Sequence, residues 1–186
     1  MTPKGEDWRD DPILGTTPAG RVSSLLSELL ERVRAARQLP EAIEILKPLD
    51  SSVFERAWVN ELFVILYGVK WTFDIVRIVQ EREASSKKIE PELLPRSFRE
   101  TEISAIETEL KPARDKLVAH YFGNLRGDLT VRDFFSASVT RYTLKHGQAV
   151  IESSIDALWE WHQKNHTLVE NYISADDLKG KRQAPS

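Results

Sequence analysis

From Val22 onward, apolar residues recur every three or four positions: Val22, Leu25, Leu26, Leu29, Leu30 and Val33. That spacing predicts a helix with one buried stripe. The helix should stop before Pro40, because the residue ahead of a proline is pushed out of helical geometry. Pro40 then suits the first turn of a short helix reaching about Lys47, and Pro48 closes it. Ser52-Val53-Phe54-Glu55 has the spacing of a capping box, in which serine and glutamate satisfy each other's free amides. Behind it lies the longest predicted helix, 53–83, with Phe54, Ala57, Trp58, Leu62, Ile65, Leu66, Val69, Phe73, Val76 and Val79 on one stripe. Phe63, Val64, Tyr67, Trp71, Ile75 and Ile78 widen that stripe well past one face. A helix apolar on most sides is central in its bundle, pressed against a second subunit, or both.

Residues 84–95 are polar, contain Pro91 and Pro95, and read as a connection. Ser97-Phe98-Arg99-Glu100 repeats the capping-box spacing and opens a predicted helix through Ile103, Ile106, Leu110, Leu117 and Val118 to about Tyr121. Pro112 lies inside it and should kink or restart the helix just before Arg114. Gly123 to Asp128 reads as a turn, and 130–137 fits a short helix or a short strand. A last helix, 139–172, carries Tyr142, Ala149, Val150, Ile155, Leu158, Trp159, His162 and Val169 as its buried positions. No segment alternates apolar with polar residues, so the expectation is an all-α bundle of four main helices plus short ones. Residues 1–19 hold three prolines and no apolar face, which predicts a flexible arm. The bundle should then be a single domain over 20–173, and 174–186 a flexible tail.

Composition narrows the function classes. At 186 residues with 41% apolar and 30% charged positions, the chain suits one globular domain. Its longest apolar run, Leu62 to Val69, is far short of the ~18–20 residues that span a bilayer, so no membrane association is expected. The first residues show no basic segment followed by an apolar stretch, which favours a cytoplasmic location. The absence of cysteine removes disulfides, thiolate zinc sites and a cysteine nucleophile. With 26 Lys and Arg against 29 Asp and Glu, the net charge of −3 argues against a broad basic surface. Contact with a polyanion would need a local cluster.

One such cluster exists. Between Lys111 and Arg126 there are four cations (Lys111, Arg114, Lys116, Arg126) against a single acid, Asp115, a local balance of +3 in a chain of −3. The same span carries His120. Arginine offers paired hydrogen bonds to phosphate oxygens, and an imidazole exchanges a proton near neutral pH. Together they suffice to cleave RNA without a metal: the imidazole takes the ribose 2′-hydroxyl proton and the guanidinium stabilises charge building on phosphorus. Six helical residues set Arg114 and His120 about 120° apart and about 9 Å along the axis. One ideal helix cannot aim both at one atom. Either the helix is re-aimed near Pro112 and Gly123, or a second copy completes the site across a twofold axis.

At these residues the chain resembles a known family. Arg114-Asp115-Lys116-Leu117-Val118-Ala119-His120 looks like the motif of the HEPN superfamily, an arginine and a polar residue followed by four residues and a histidine. The Arg-Asp-Lys start and the Ala-His-Tyr finish are similar to its abortive-infection branch. The resemblance implies a homodimeric helical bundle with a metal-independent endoribonuclease site at the interface. It also implies a role as a toxin of a toxin–antitoxin pair or as a phage-defence effector, with an antitoxin protein as regulatory partner. In that reading Arg114 contacts phosphate, Asp115 orients its neighbours and His120 performs acid/base work. Lys111, Lys116 and Arg126 would bind RNA, and no cofactor or metal is called for.

Other features carry less. An Arg–Asp pair beside a histidine also fits a surface ion-pair cluster, worth about 0–1 kcal/mol. His162 and His166 lie one helical turn apart, a spacing that suits a metal, but no third ligand stands at motif spacing. His162, next to Trp161 and near Trp159, fits a packed core position, His166 a solvated one, and His146 a structural one. Glu81 and Glu83, like Glu107 and Glu109, lie two apart and point to different faces, so neither pair suits shared acid/base chemistry. The competing functional reading is a non-catalytic helical module that binds a protein or RNA through the same basic island and the apolar girdle around Phe63, Tyr67 and Trp71.

Overall fold

The computed structural model describes residues 17–46, 52–119 and 141–179. Among the described residues, five helices follow in chain order: α1 (Pro18–Ala36), α2 (Leu39–Leu46), α3 (Ser52–Lys87), α4 (Glu100–Ala119) and α5 (Arg141–Tyr172). Two single 3-10 turns, Arg96–Phe98 and Asp177–Lys179, complete the assignment. There is no strand among the described residues, and the architecture is an all-α bundle of four long helices plus short elements. The ambiguous segment 130–137 lies outside the described residues.

Local chemistry sets where each helix starts and stops. Thr17 is the cap of α1: its backbone is extended and its hydroxyl accepts from the Gly20 amide at 3.2 Å, with Pro18 in the first turn. The helix therefore begins four residues before the apolar pattern does, inside the stretch expected to be an arm. α3 runs four residues past its predicted end. Lys88 takes a left-handed conformation (φ 56°), the Ile89 amide reaches back to the Ala84 carbonyl at 3.0 Å, and the Lys88 amide bonds Ser85 at 3.3 Å. This is a Schellman ending, with lysine where glycine is usual.

The box predicted at Ser97 does not form. Arg96–Phe98 make a 3-10 turn, Arg99 turns left-handed (φ 51°), and α4 starts one residue later, its first carbonyl bond running from the Ile103 amide to Arg99. The reason lies in Phe98. Its ring is buried in the core and stacks on Phe73 at 5.7 Å between centroids, which fixes the backbone of this turn.

The contacts between helices fix the layout. Trp58 meets Gln148 and Arg82 meets the end of α5, so α3 and α5 run parallel. α1 opposes α5, with Ala19 beside Glu170, Ser23 beside His162 and Arg37 beside Glu152. α4 opposes both members of the pair, through Arg77–Glu100, Lys70–Glu107 and Arg99–Ser153. α1 and α4 each pack against the central pair. The buried stripe of α3 (Trp58, Leu62, Ile65, Leu66, Val69, Phe73, Val76, Val79) meets Val22, Leu26, Leu29 and Val33 of α1 and Ile151, Ile155 and Leu158 of α5. α3 is thus the central helix that its broad apolar surface predicted. α1 and α3 approach closely at Gly68, where an added Cβ would stand 2.6 Å from Leu29 Cδ2.

Some expected core positions are not core. Ala57 and Ala149 are exposed; Val64 and, at 69%, Tyr67, which widen the stripe of α3 beyond its core face, are exposed as well. Alanine is small enough to fit either environment, so periodicity alone misplaces it. The chain after 173 is also not a free tail at its start. Arg82 forms a paired ion bridge to Asp177 at 2.7 and 2.8 Å, and Leu178 packs on the core. Arg82 and the Ser174 hydroxyl and amide together hold the Asp177 carboxyl down at a pKa of about 2.

Candidate functional site

The last turns of α4 carry the motif. The helix runs without a break from Glu100 to Ala119 across Pro112, so the expected restart before Arg114 does not occur. Proline lacks the one amide that would bond the Thr108 carbonyl, and a single missing bond leaves the remaining ladder intact. Arg114, Asp115 and Lys116 therefore occupy consecutive positions of a continuous helix. Arg114 sits one turn beyond the buried Leu110, and Asp115 one turn beyond the exposed Lys111. His120 follows the last residue of α4. The side chains of residues 112–119, with His120 and Arg126 entire, lie outside the described residues, and so do the contacts of this motif.

A second polar cluster is fully described, and sequence reading did not anticipate its main partner. His162 is 2% exposed between α1 and α5. Its Nε2 lies 2.7 Å from the hydroxyl of Ser23 on α1, while Nδ1 is buried without a hydrogen-bond partner. His166, one turn on, places its ring centroid 5.6 Å away at a tilt of 53° and is exposed. Between the two histidines the helix departs from ideal geometry at Asn165 (φ −114°, ψ 17°), where Asn165 Nδ2 donates to the Trp161 carbonyl at 2.8 Å. Burial, and then the neighbouring His166, push the His162 pKa below its ordinary 6.5. The Ser23–His162 bond has the atoms of a nucleophile and its base, but no carboxylate stands on Nδ1 to orient the ring. Among the described residues no group of three or more histidines and carboxylates is placed to hold a metal ion. The signal for Ser23 was present: a serine one turn before Leu26 on the packed face of an amphipathic helix needs a partner.

A groove of about 620 Å³ lies between the 3-10 turn and α5, lined by Pro95, Ser97, Arg99, Asp156, Trp161 and Lys164. Arg99 is already committed there, to Glu102 and to the Ser153 hydroxyl at 3.1 Å. The groove is mixed in charge and shares no residue with the motif of α4. Glu107 bonds Lys70 across α3 while Glu109 is exposed, so those two acids do face different ways. No helix among the described residues is long and apolar enough to cross a membrane. No family model, no curated protein and no solved structure matches this chain.

Proposed function

We propose that the chain is a metal-independent endoribonuclease of the HEPN type, active as a homodimer in the cytoplasm. The observation that carries this reading is the Arg114-to-His120 motif running off the end of α4 in an all-α bundle. The local charge of +3 around it supports an anionic ligand, and exposed Lys111 stands at its edge. In this chemistry His120 takes the 2′-hydroxyl proton and the 2′-oxygen attacks phosphorus. The bond to the 5′-oxygen then breaks, and the partner's His120 returns a proton to that oxygen. Arg114 neutralises the charge on the phosphate as the pentacoordinate state forms. The products are a 2′,3′-cyclic phosphate and a 5′-hydroxyl. Toxicity restrained by an antitoxin, or triggered during phage infection, is the role that fits such an activity.

Purified protein incubated with RNA in excess EDTA tests it. Cleavage with cyclic-phosphate ends is expected, slowed about 10²–10⁴-fold by His120→Ala. Unchanged cleavage in that variant removes His120 from the mechanism. The second reading, a non-catalytic protein- or RNA-binding module, is favoured by the exposed Val64 and Tyr67 on α3. It predicts binding that Arg114→Ala weakens, with the RNA left intact.

A further inference from the structure

We propose that His162 is an acid-sensitive latch holding the first turns of α1 on the bundle. Three observations place it in that role. The ring is buried where α1 crosses α5, its Nε2 is tied to Ser23 of α1 at 2.7 Å, and its buried Nδ1 makes no hydrogen bond. A neutral imidazole fits this position. An imidazolium does not, because it adds a charge to a desolvated interface, a cost that the backbone of Ala19 only partly offsets.

The surroundings offer little to offset that charge. On α5 the nearest titratable neighbour is His166, which repels it. The backbone of Glu170 lies two turns on, roughly 12 Å along the axis, and its carboxylate accepts from the Ala19 amide at 3.1 Å. Glu160 and Lys164 flank His162 on α5, and Lys164 lines the groove beside the 3-10 turn. From α1 the ring meets the Ser23 hydroxyl and, as a weaker favourable contact, the backbone of Ala19; Arg21 is half a turn away around that helix. The register set by Trp58–Gln148 and Arg82–Asp177 brings Thr72, Phe73 and Val76 of α3 to this level. They are uncharged, and the Thr72 hydroxyl bonds the Gly68 carbonyl. Lys70 and Arg77 of α3 are paired with Glu107 and Glu100 of α4.

The two ends of α1 are held by different chemistry. At its far end Arg32 bonds Glu28 and Glu61, and Arg37 bonds Glu152. Arg37 holds the Glu152 carboxyl below the usual carboxylate range, so that pair keeps its charge where an imidazole protonates. The His162 end does not. Because the undocked ring binds a proton near pH 6.5 and the docked ring resists it, the docked state loses ground as pH falls below 6.5. Acid should therefore release residues 18–26 first and leave 28–36 in place.

Histidine-ring NMR and amide hydrogen exchange on the full chain, read between pH 7.5 and 5.0, test this. His162 is expected to stay neutral below pH 6.5. Protection of amides 21–26, corrected for intrinsic rates, is expected to fall about tenfold or more relative to amides 30–36. His162→Gln should abolish the difference and His166→Gln should retain it. Equal loss in both halves of α1, a His162 ring that protonates at or above pH 6.5, or an unchanged drop in His162→Gln would each overturn the latch. The first two results are read in the wild-type chain, so the outcome does not depend on the variant folding. The result is independent of whether the chain cuts RNA.

Discussion

Three helices are joined by one run of side chains. Trp58 Nε1 donates to Gln148 Oε1 at 3.0 Å, Gln148 Nε2 donates to Glu152, and Arg37 closes the run with two bonds to that carboxylate at 2.8 and 2.7 Å. Arg37 above all, then Gln148, holds the Glu152 carboxyl below the usual range. Trp58 is 1% exposed, so deleting its N–H leaves the Gln148 oxygen without a donor in a buried place. Trp58→Phe should cost about 1–3 kcal/mol in urea unfolding, with the slope unchanged. Trp58 was readable as core from its place in the stripe. Gln148 was not, because nothing near it in sequence distinguishes it from a solvated residue. Its partner is 90 positions away.

Helix ends were legible where they used common signals and missed where they did not. Thr17-Pro18 is an ordinary start, readable in principle and hidden only by the apolar pattern beginning later. The end of α3 was missed because lysine stands at the left-handed position, where sequence reading looks for glycine. That conformation costs an L-residue about 1–2 kcal/mol. Lys88→Gly should therefore stabilise the protein, by about 1 kcal/mol after the added entropy of the unfolded chain is set against it. Thermal unfolding checks the sign. An unchanged or lower midpoint would mean that the Lys88 side chain contributes more than its backbone costs. Pro112 carried the opposite lesson. A proline in a helical pattern reads as a break, yet α4 continues through it, since the rest of its ladder and its packed stripe of Ile103, Ile106 and Leu110 persist.

At the scale of the whole molecule, α3 carries both a central core stripe and an outward face. Asn60, Val64 and Tyr67 are exposed there, with Trp71 and Ile78 partly so. If the dimer of the proposed nuclease forms on this face, light scattering should report about twice 21.3 kDa. Tyr67→Glu should then return the protein to a monomer and reduce cleavage with it, since each site needs a residue from both copies. A monomeric wild type at micromolar concentration would remove the basis for a shared site. The basic island that begins on α4 is a property of the sequence, because local charge and motif spacing need no tertiary information. What it touches was not.

The amino-acid sequence by itself determined that the described residues are helical and which stripes they bury, and it placed four long helices within a few residues of their bounds among those residues. Helix formation depends on neighbours three and four positions apart, and those are written in the order of residues. The tertiary structure decided how the helices align. Only a particular register sets Ser23 against His162, 139 residues apart, and Ala19 against Glu170, 151 apart. Such pairings depend on the summed packing of whole helices and not on any local pattern. A buried histidine with one free nitrogen therefore appears only once the bundle is assembled.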